Sequence, residues 1–374
     1  MNEILVNDLR HPPCYFAWQC FGGVSTVQWW RVSLCDLGRS EVAGGGKSRV
    51  DWADTAKALS IILLVLFTLQ GTSTYFNQML ILARMPLFFF VSGLFARRVI
   101  LRSDFETFAR EKVGNLLYLY VLWASLLFAS TYLVGWAWWG REIDPWAQVT
   151  LLWQPFVPMW FFYGLAITFL IAWLCRSLPI ALVLAVSLVA YAVAVWTGDW
   201  LLIPVFEKIV RLFPWFWLGL VLRGAVFDFV ERTWRLWPLP LAGYLALSYV
   251  FMDSSWNHIA PLSFVITAIG LAGLLMVSAQ LAQLPLVAGP LAIVGASTLY
   301  IYATQHITIF YLQRAARTLG VDFHLLTLPS LVIVVVAGTV FGRWAARTPR
   351  FAWLFRAPWL GGRRAGGWQG TAAA

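Results

Sequence analysis

"VDWADTAKALSIILLVLFTLQG", residues 50–71, decides the fold class. It begins with two carboxylates and a lysine, and then runs on through apolar residues for a length that spans a hydrocarbon core of about 30 Å as a helix. Asp51, Asp54 and Lys57 are spaced three apart and share a helix face, so Asp54 and Lys57 are placed to pair. Eleven residues after Lys57 comes Thr68. At about 100° per residue the two point within about 20° of each other, roughly 16 Å apart along the axis.

The rest of the chain follows the same pattern. Of its 374 residues, 60% are hydrophobic and 12% charged, against about 25% charged in soluble domains. The apolar runs are continuous and lack the period-two alternation of a membrane β-barrel. The reading is an all-α polytopic membrane protein of about ten transmembrane helices. Their predicted ranges are 55–71, 79–96, 113–135, 157–175, 179–196, 209–222, 236–252, 261–281, 290–312 and 325–342.

The formal charge of +10 sits in short clusters between apolar runs. That distribution sets topology and excludes a nucleic-acid partner. With ten spans and the N-terminus inside, twenty of the 27 Lys and Arg fall on the cytosolic side and five outside. Both termini are therefore expected to be cytosolic. Residues 1–48 read as a poorly ordered cytosolic tail with no cleavable signal peptide. Residues 49–345 read as the integral domain, and 346–374 as a basic cytosolic tail. Cys14, Cys20 and Cys35 match no common zinc spacing even with His11 nearby, so no metal site is expected.

Ionisable groups inside a span cost roughly 2.5–3.5 kcal/mol each on insertion scales, which makes them functional candidates. "RMPLFFFVSGLFARR", residues 84–98, places Arg84 at the outer end of the second long helix, just before Pro86. Proline frees a backbone carbonyl and lets the helix bend. A guanidinium there is placed to face a polar cavity, where it can polarise a carbonyl or orient a sugar. Its bland alternative is a snorkelling interfacial arginine. Ser92 and Gly93 let two helices approach closely.

Residues 50–71 followed by 84–98 resemble the start of the acyltransferase-3 family, bacterial inner-membrane O-acyltransferases that modify glycans. "LFPWFWLGLVLR" (212–223) and "STLYIYATQH" (297–306) fit later family patterns more loosely. The resemblance covers about residues 49–345. It implies transfer of an acyl group, usually acetyl, from acyl-CoA as donor substrate, with no bound cofactor. The implied acceptor is a hydroxyl of a glycan or lipid-linked sugar, in a multi-pass protein of the bacterial plasma membrane surrounded by membrane lipids. The family's first-helix motif is a basic residue, ten intervening residues and a histidine. Here the basic residue is Lys57, which with Asp54 is expected to hold the donor, and Thr68 stands in the histidine's place. A threonine hydroxyl is no general base near neutral pH and acts as a nucleophile only when another base activates it. His306, late in the ninth predicted helix, is the candidate to supply that base.

At the outer side, Glu207, Lys208 and Arg211 cluster in "FEKIVRLFPWF", with Glu207 and Arg211 spaced to pair. Trp160 closes the tryptophan-dense stretch 136–160. Glu207, Arg211 and Trp160 are the candidates for the acceptor entrance. Two other readings stand beside the enzyme. One is a catalytically inactive relative, because Thr68 replaces the histidine. The other is a transporter or flippase of a glycolipid, against which stands the absence of recognisable broken helices. The enzyme reading requires Lys57 and Arg84 to point into the bundle rather than at lipid.

Overall fold

A computed structural model describes residues 51–71, 74–139, 157–197, 204–252 and 259–360. The cysteines at 14, 20 and 35, His11, His258 and most of the tryptophan-dense stretch lie outside the described residues. Every element among the described residues is helical. In chain order they are α1 (Asp51–Gln70), the short α2 (Tyr75–Met79), α3 (Ile81–Arg102), the four-residue α4 (Phe105–Phe108) and α5 (Gly114–Trp139). Then come α6 (Trp160–Leu174), α7 (Ile180–Thr197), α8 (Pro204–Val221) and α9 (Arg223–Thr233). The last are α10 (Pro238–Met252), α11 (Ala260–Ala282), α12 (Pro285–Gly295), α13 (Thr298–Thr318) and α14 (Thr327–Arg347).

All ten predicted runs are helical, but ten membrane spans are not confirmed. Among the described residues, six helices are long and apolar enough to cross a membrane, or eight if each of two bent pairs is one span. The remaining two runs fall short for different reasons. In α3 every 18-residue window contains three arginines, drawn from Arg84, Arg97, Arg98 and Arg102. α10 is apolar but shorter. The two bent pairs also correct the expectation that no helix is broken. α8 and the helical segment after it meet at 80°, and α12 and α13 meet at 78°.

α1 is the hub. It packs on α3, α11, α12, α13 and α14, and 67% of its apolar window is buried. It ends where Gly71 takes a positive φ of 60°, a conformation that favours glycine. The break between α12 and α13 is pressed onto the start of α1, where a Cβ at Gly295 would overlap the Asp54 carbonyl. α3 and α8 meet through reciprocal glycines. A Cβ on Gly93 would overlap the Phe216 carbonyl, and one on Gly219 would overlap that of Phe90. The close approach expected at Gly93 is present, and it is the small residue that permits it.

After α14 the chain folds back on α5. The Tyr118 hydroxyl donates to the Trp353 carbonyl at 3.0 Å and the Trp123 indole N–H to the Leu354 carbonyl at 2.8 Å. The buried Asn115 Oδ1 accepts from the Ala357 N–H at 2.9 Å. Residues 348–360 are thus tied to the bundle by side-chain bonds from a helix more than 230 residues earlier.

Candidate active site

At the head of α1, Lys57 Nζ lies 3.1 Å from Asp54 Oδ1 and 4.2 Å from the centre of the Phe95 ring on α3. Asp54 is buried and Lys57 about one-fifth exposed. The predicted pair forms, and the lysine turns inward against α3. Within the next turn, Ser60 bonds back to the Ala56 carbonyl, and then α1 is apolar as far as Thr68. The Thr68 hydroxyl donates to the Leu64 carbonyl at 2.9 Å, one turn earlier on its own helix. That bond occupies its proton, and no other side-chain group among the described residues hydrogen-bonds to it.

Arg84 is 3% exposed, so the snorkelling alternative is excluded. Its guanidinium stacks over Phe67 of α1, 3.6 Å from the ring centre, next in sequence to Thr68. Nε and Nη1 are buried and have no hydrogen-bond partner among the described residues. An aromatic face stabilises the cation by about 2 kcal/mol when desolvated. It leaves those N–H groups unsatisfied, at about 1–3 kcal/mol or more for charged groups. The helix around Arg84 is opened by Pro86, whose missing N–H frees the Leu82 carbonyl. Thr267 of α11 donates to that carbonyl at 3.3 Å.

Tyr244 of α10 completes this corner, and the sequence reading missed it. The ring is fully buried against Gly270 of α11. Its hydroxyl donates to the Met79 carbonyl and accepts from the Ala83 N–H at 3.2 Å. It thereby fixes the junction of α2 and α3 immediately before Arg84. A lone tyrosine in the apolar run 238–248 was the available signal, since a buried phenol needs a partner.

His306 lies elsewhere. Its ring is 3.4 Å from Gln305 Nε2 and edge-on to Tyr302, with centroids 6.5 Å apart. It sits beside the Pro158 carbonyl, which accepts from Tyr302 at 3.0 Å. This is the start of α6, where Trp160 is buried and carries Lys208 Nζ 5.1 Å above its ring. On the same helix as Lys208, Arg211 pairs with Glu207 at 2.6 Å and donates to the Ala194 carbonyl at 2.7 Å. The structure therefore groups His306 with the acceptor-entrance candidates, and Arg84 with Phe67 of α1, the residue before Thr68. Phe161 bridges the two groups. Its ring lies 4.4 Å from Phe88, one turn after Arg84, and 5.0 Å from Tyr302, one turn before His306.

A family model described as an acyltransferase domain, Acyl_transf_3, matches residues 50–347. The chain belongs to the acyltransferase-3 family. The match begins at the stretch that opens α1 and ends with α14, so it takes in every residue of the geometry above. No curated protein and no solved structure matches the chain. Within this acyltransferase-3 chain, Asp54 with Lys57, then Arg84 over Phe67, and then His306 at the Pro158 carbonyl before α6 form three successive groups. The protein is a multi-pass membrane protein with an acyltransferase domain.

Proposed function

We propose that the protein moves an acyl group, acetyl in the simplest case, from acyl-CoA to a hydroxyl of a glycan or lipid-linked sugar. We place it in a bacterial inner membrane with both termini and the donor on the cytosolic side. Residues 49–345 form the integral acyltransferase body, between a tail of 1–48 and a basic segment of 346–374. The acceptor oxygen bonds to the acyl carbon, the thioester C–S bond breaks, and the hydroxyl proton ends on the CoA thiol.

One observation carries this reading: a guanidinium buried in an acyltransferase domain, its Nε and Nη1 without a hydrogen-bond partner among the described residues. Donors placed in advance where negative charge develops are the largest single source of rate in acyl transfer. Arg84 supplies such donors to the acyl oxygen. Lys57, steadied by Asp54, holds the donor end. His306, next to Trp160 and the Glu207–Arg211 pair, is the base for an acceptor entering from that side.

The experiment follows acyl release from labelled acetyl-CoA in membranes carrying the protein, with glycolipid extract as acceptor. Release that depends on the extract is the expected result. No release together with no CoA binding overturns the enzyme. A second reading, a non-catalytic relative, is favoured by the Thr68 hydroxyl being turned back onto Leu64. Thr68→His separates the two readings. Faster release supports the assigned site, whereas CoA binding without turnover in both forms supports the non-catalytic relative.

A further inference from the structure

Two adjoining clefts open on the opposite side of α1 from Lys57. One, of about 450 Å³, is lined by Ile293 of α12 and by Val340, Arg343, Trp344, Arg347 and Thr348 at the end of α14. The other, of about 520 Å³, is lined by Thr55, Ala288, Gly289 and Ala292. Arg343 and Ile293 border both. Each volume lies in the range of about 300–1,000 Å³ found for ligand pockets.

The sequence of α14 builds this face. Gly338 and Gly342 press onto Ile301 and Tyr300 of α13. The outward row then carries Val332, Val336, Val340 and Trp344, all exposed. Trp344 is held between Phe341 and Phe351, with ring centroids at 5.9 Å and 4.9 Å. Arg343 and Arg347 are four residues apart and lie along the same cleft. Neither makes a hydrogen bond or ion pair among the described residues, and no carboxylate lines either cleft.

We propose that these clefts hold an anionic phospholipid, its headgroup phosphate between Arg343 and Arg347 and an acyl chain against Val340, Trp344 and Ile293. Charge complementarity selects the phosphate, and the mostly apolar wall selects a lipid over a soluble phosphate compound. A soluble donor reaching Lys57 lies on another side of α1. Thr55 and Lys57 are two residues apart, which turns them about 200° from each other. The arginines sit at the end of α14 that neighbours the start of α1. With the termini on the cytosolic side, as proposed above, that end lies at the cytosolic face, where the leaflet is anionic.

Native mass spectrometry of the purified protein with dioleoyl-phosphatidylglycerol or dioleoyl-phosphatidylcholine tests this. Preferential binding of phosphatidylglycerol is expected. The double variant Arg343→Ala/Arg347→Ala loses about thirtyfold of that affinity and leaves phosphatidylcholine unchanged. Arg343→Lys/Arg347→Lys keeps most of it. Val340→Trp, which fills the chain groove and spares both arginines, lowers phosphatidylglycerol occupancy and serves as the test should the alanine pair not fold. Equal binding of the two lipids by the native protein, or undiminished preference in the alanine pair, overturns the site. Displacement of phosphatidylglycerol by CoA also overturns it and assigns the arginines to a soluble phosphate instead.

Discussion

Lys57 and Arg84 are both cations near the ends of helices that pack on each other, and both are turned onto phenylalanine rings. They differ in what else they meet. Lys57 has a carboxylate at 3.1 Å, whereas Arg84 Nε and Nη1 have no hydrogen-bond partner among the described residues. A paired cation is part of the scaffold, and removing it withdraws a stabilising charge from its partner. An unpaired buried cation is a burden on the scaffold, held in place by packing, and its use lies in what it meets later. The two residues should therefore respond to mutation in opposite ways.

The largest effect expected is on catalysis. Arg84→Met should lower acyl release by about 10²–10³-fold, the loss typical of removing a preorganised donor to a developing oxyanion. Its thermal unfolding midpoint in detergent should stay or rise, because a desolvated charge without a counter-ion is gone and nothing is stranded. A variant that unfolds well below the native protein would show that Arg84 is structural and would dissolve the contrast.

Lys57→Met should act the other way round. It removes the cation 3.1 Å from the buried Asp54 carboxylate, a loss of about 3–5 kcal/mol where a pair is fully buried. The partial exposure of Lys57 reduces this to about 2 kcal/mol. Asp54→Asn added to Lys57→Met should recover most of the unfolding midpoint. If Lys57→Met alone is as stable as the native protein, the pair contributes nothing and Lys57 is as free as Arg84.

Much of this contrast was legible in the sequence. The i, i+3 spacing of Asp54 and Lys57 dictated their pairing, and the Glu207–Arg211 spacing dictated theirs, because helical geometry alone brings such residues together. Gly93 announced a close approach for the same local reason. What failed to show was anything set by partners distant in sequence. His306 had its imidazole chemistry and its place late in a predicted helix to recommend it, yet its surroundings come from the start of α6, nearly 150 residues earlier. The 78° break after Gly295 was hidden because apolar residues run on through it. Periodicity records which residues are greasy and not where the axis points; at the turn Gly295 packs against the backbone of Asp54, a contact distant in sequence. Tyr244 was passed over because its partners, Met79 and Ala83, are backbone groups that carry no side-chain signature.

The smallest effect concerns how α3 tolerates Arg84 and Pro86 so close together. Pro86 leaves the Leu82 carbonyl without its helical donor, and Thr267 reaches it from α11 at 3.3 Å while also donating to Ser263 at 2.8 Å. The shared hydroxyl makes the bond to Leu82 the weaker of the two, so Thr267→Val should cost no more than about 1 kcal/mol. The informative quantity is its coupling to Pro86→Ala. An alanine at 86 restores the helical N–H to Leu82, and Thr267→Val should then cost measurably less than it does beside proline. A double-mutant cycle on unfolding midpoints reads this directly. Additive effects would mean that Thr267 serves only its own helix, and that α3 carries an unsatisfied carbonyl two residues before its unsatisfied guanidinium. In that case the polar strain in this helix belongs to a whole turn of backbone rather than to one side chain, and the burden attributed to Arg84 has to be divided between them.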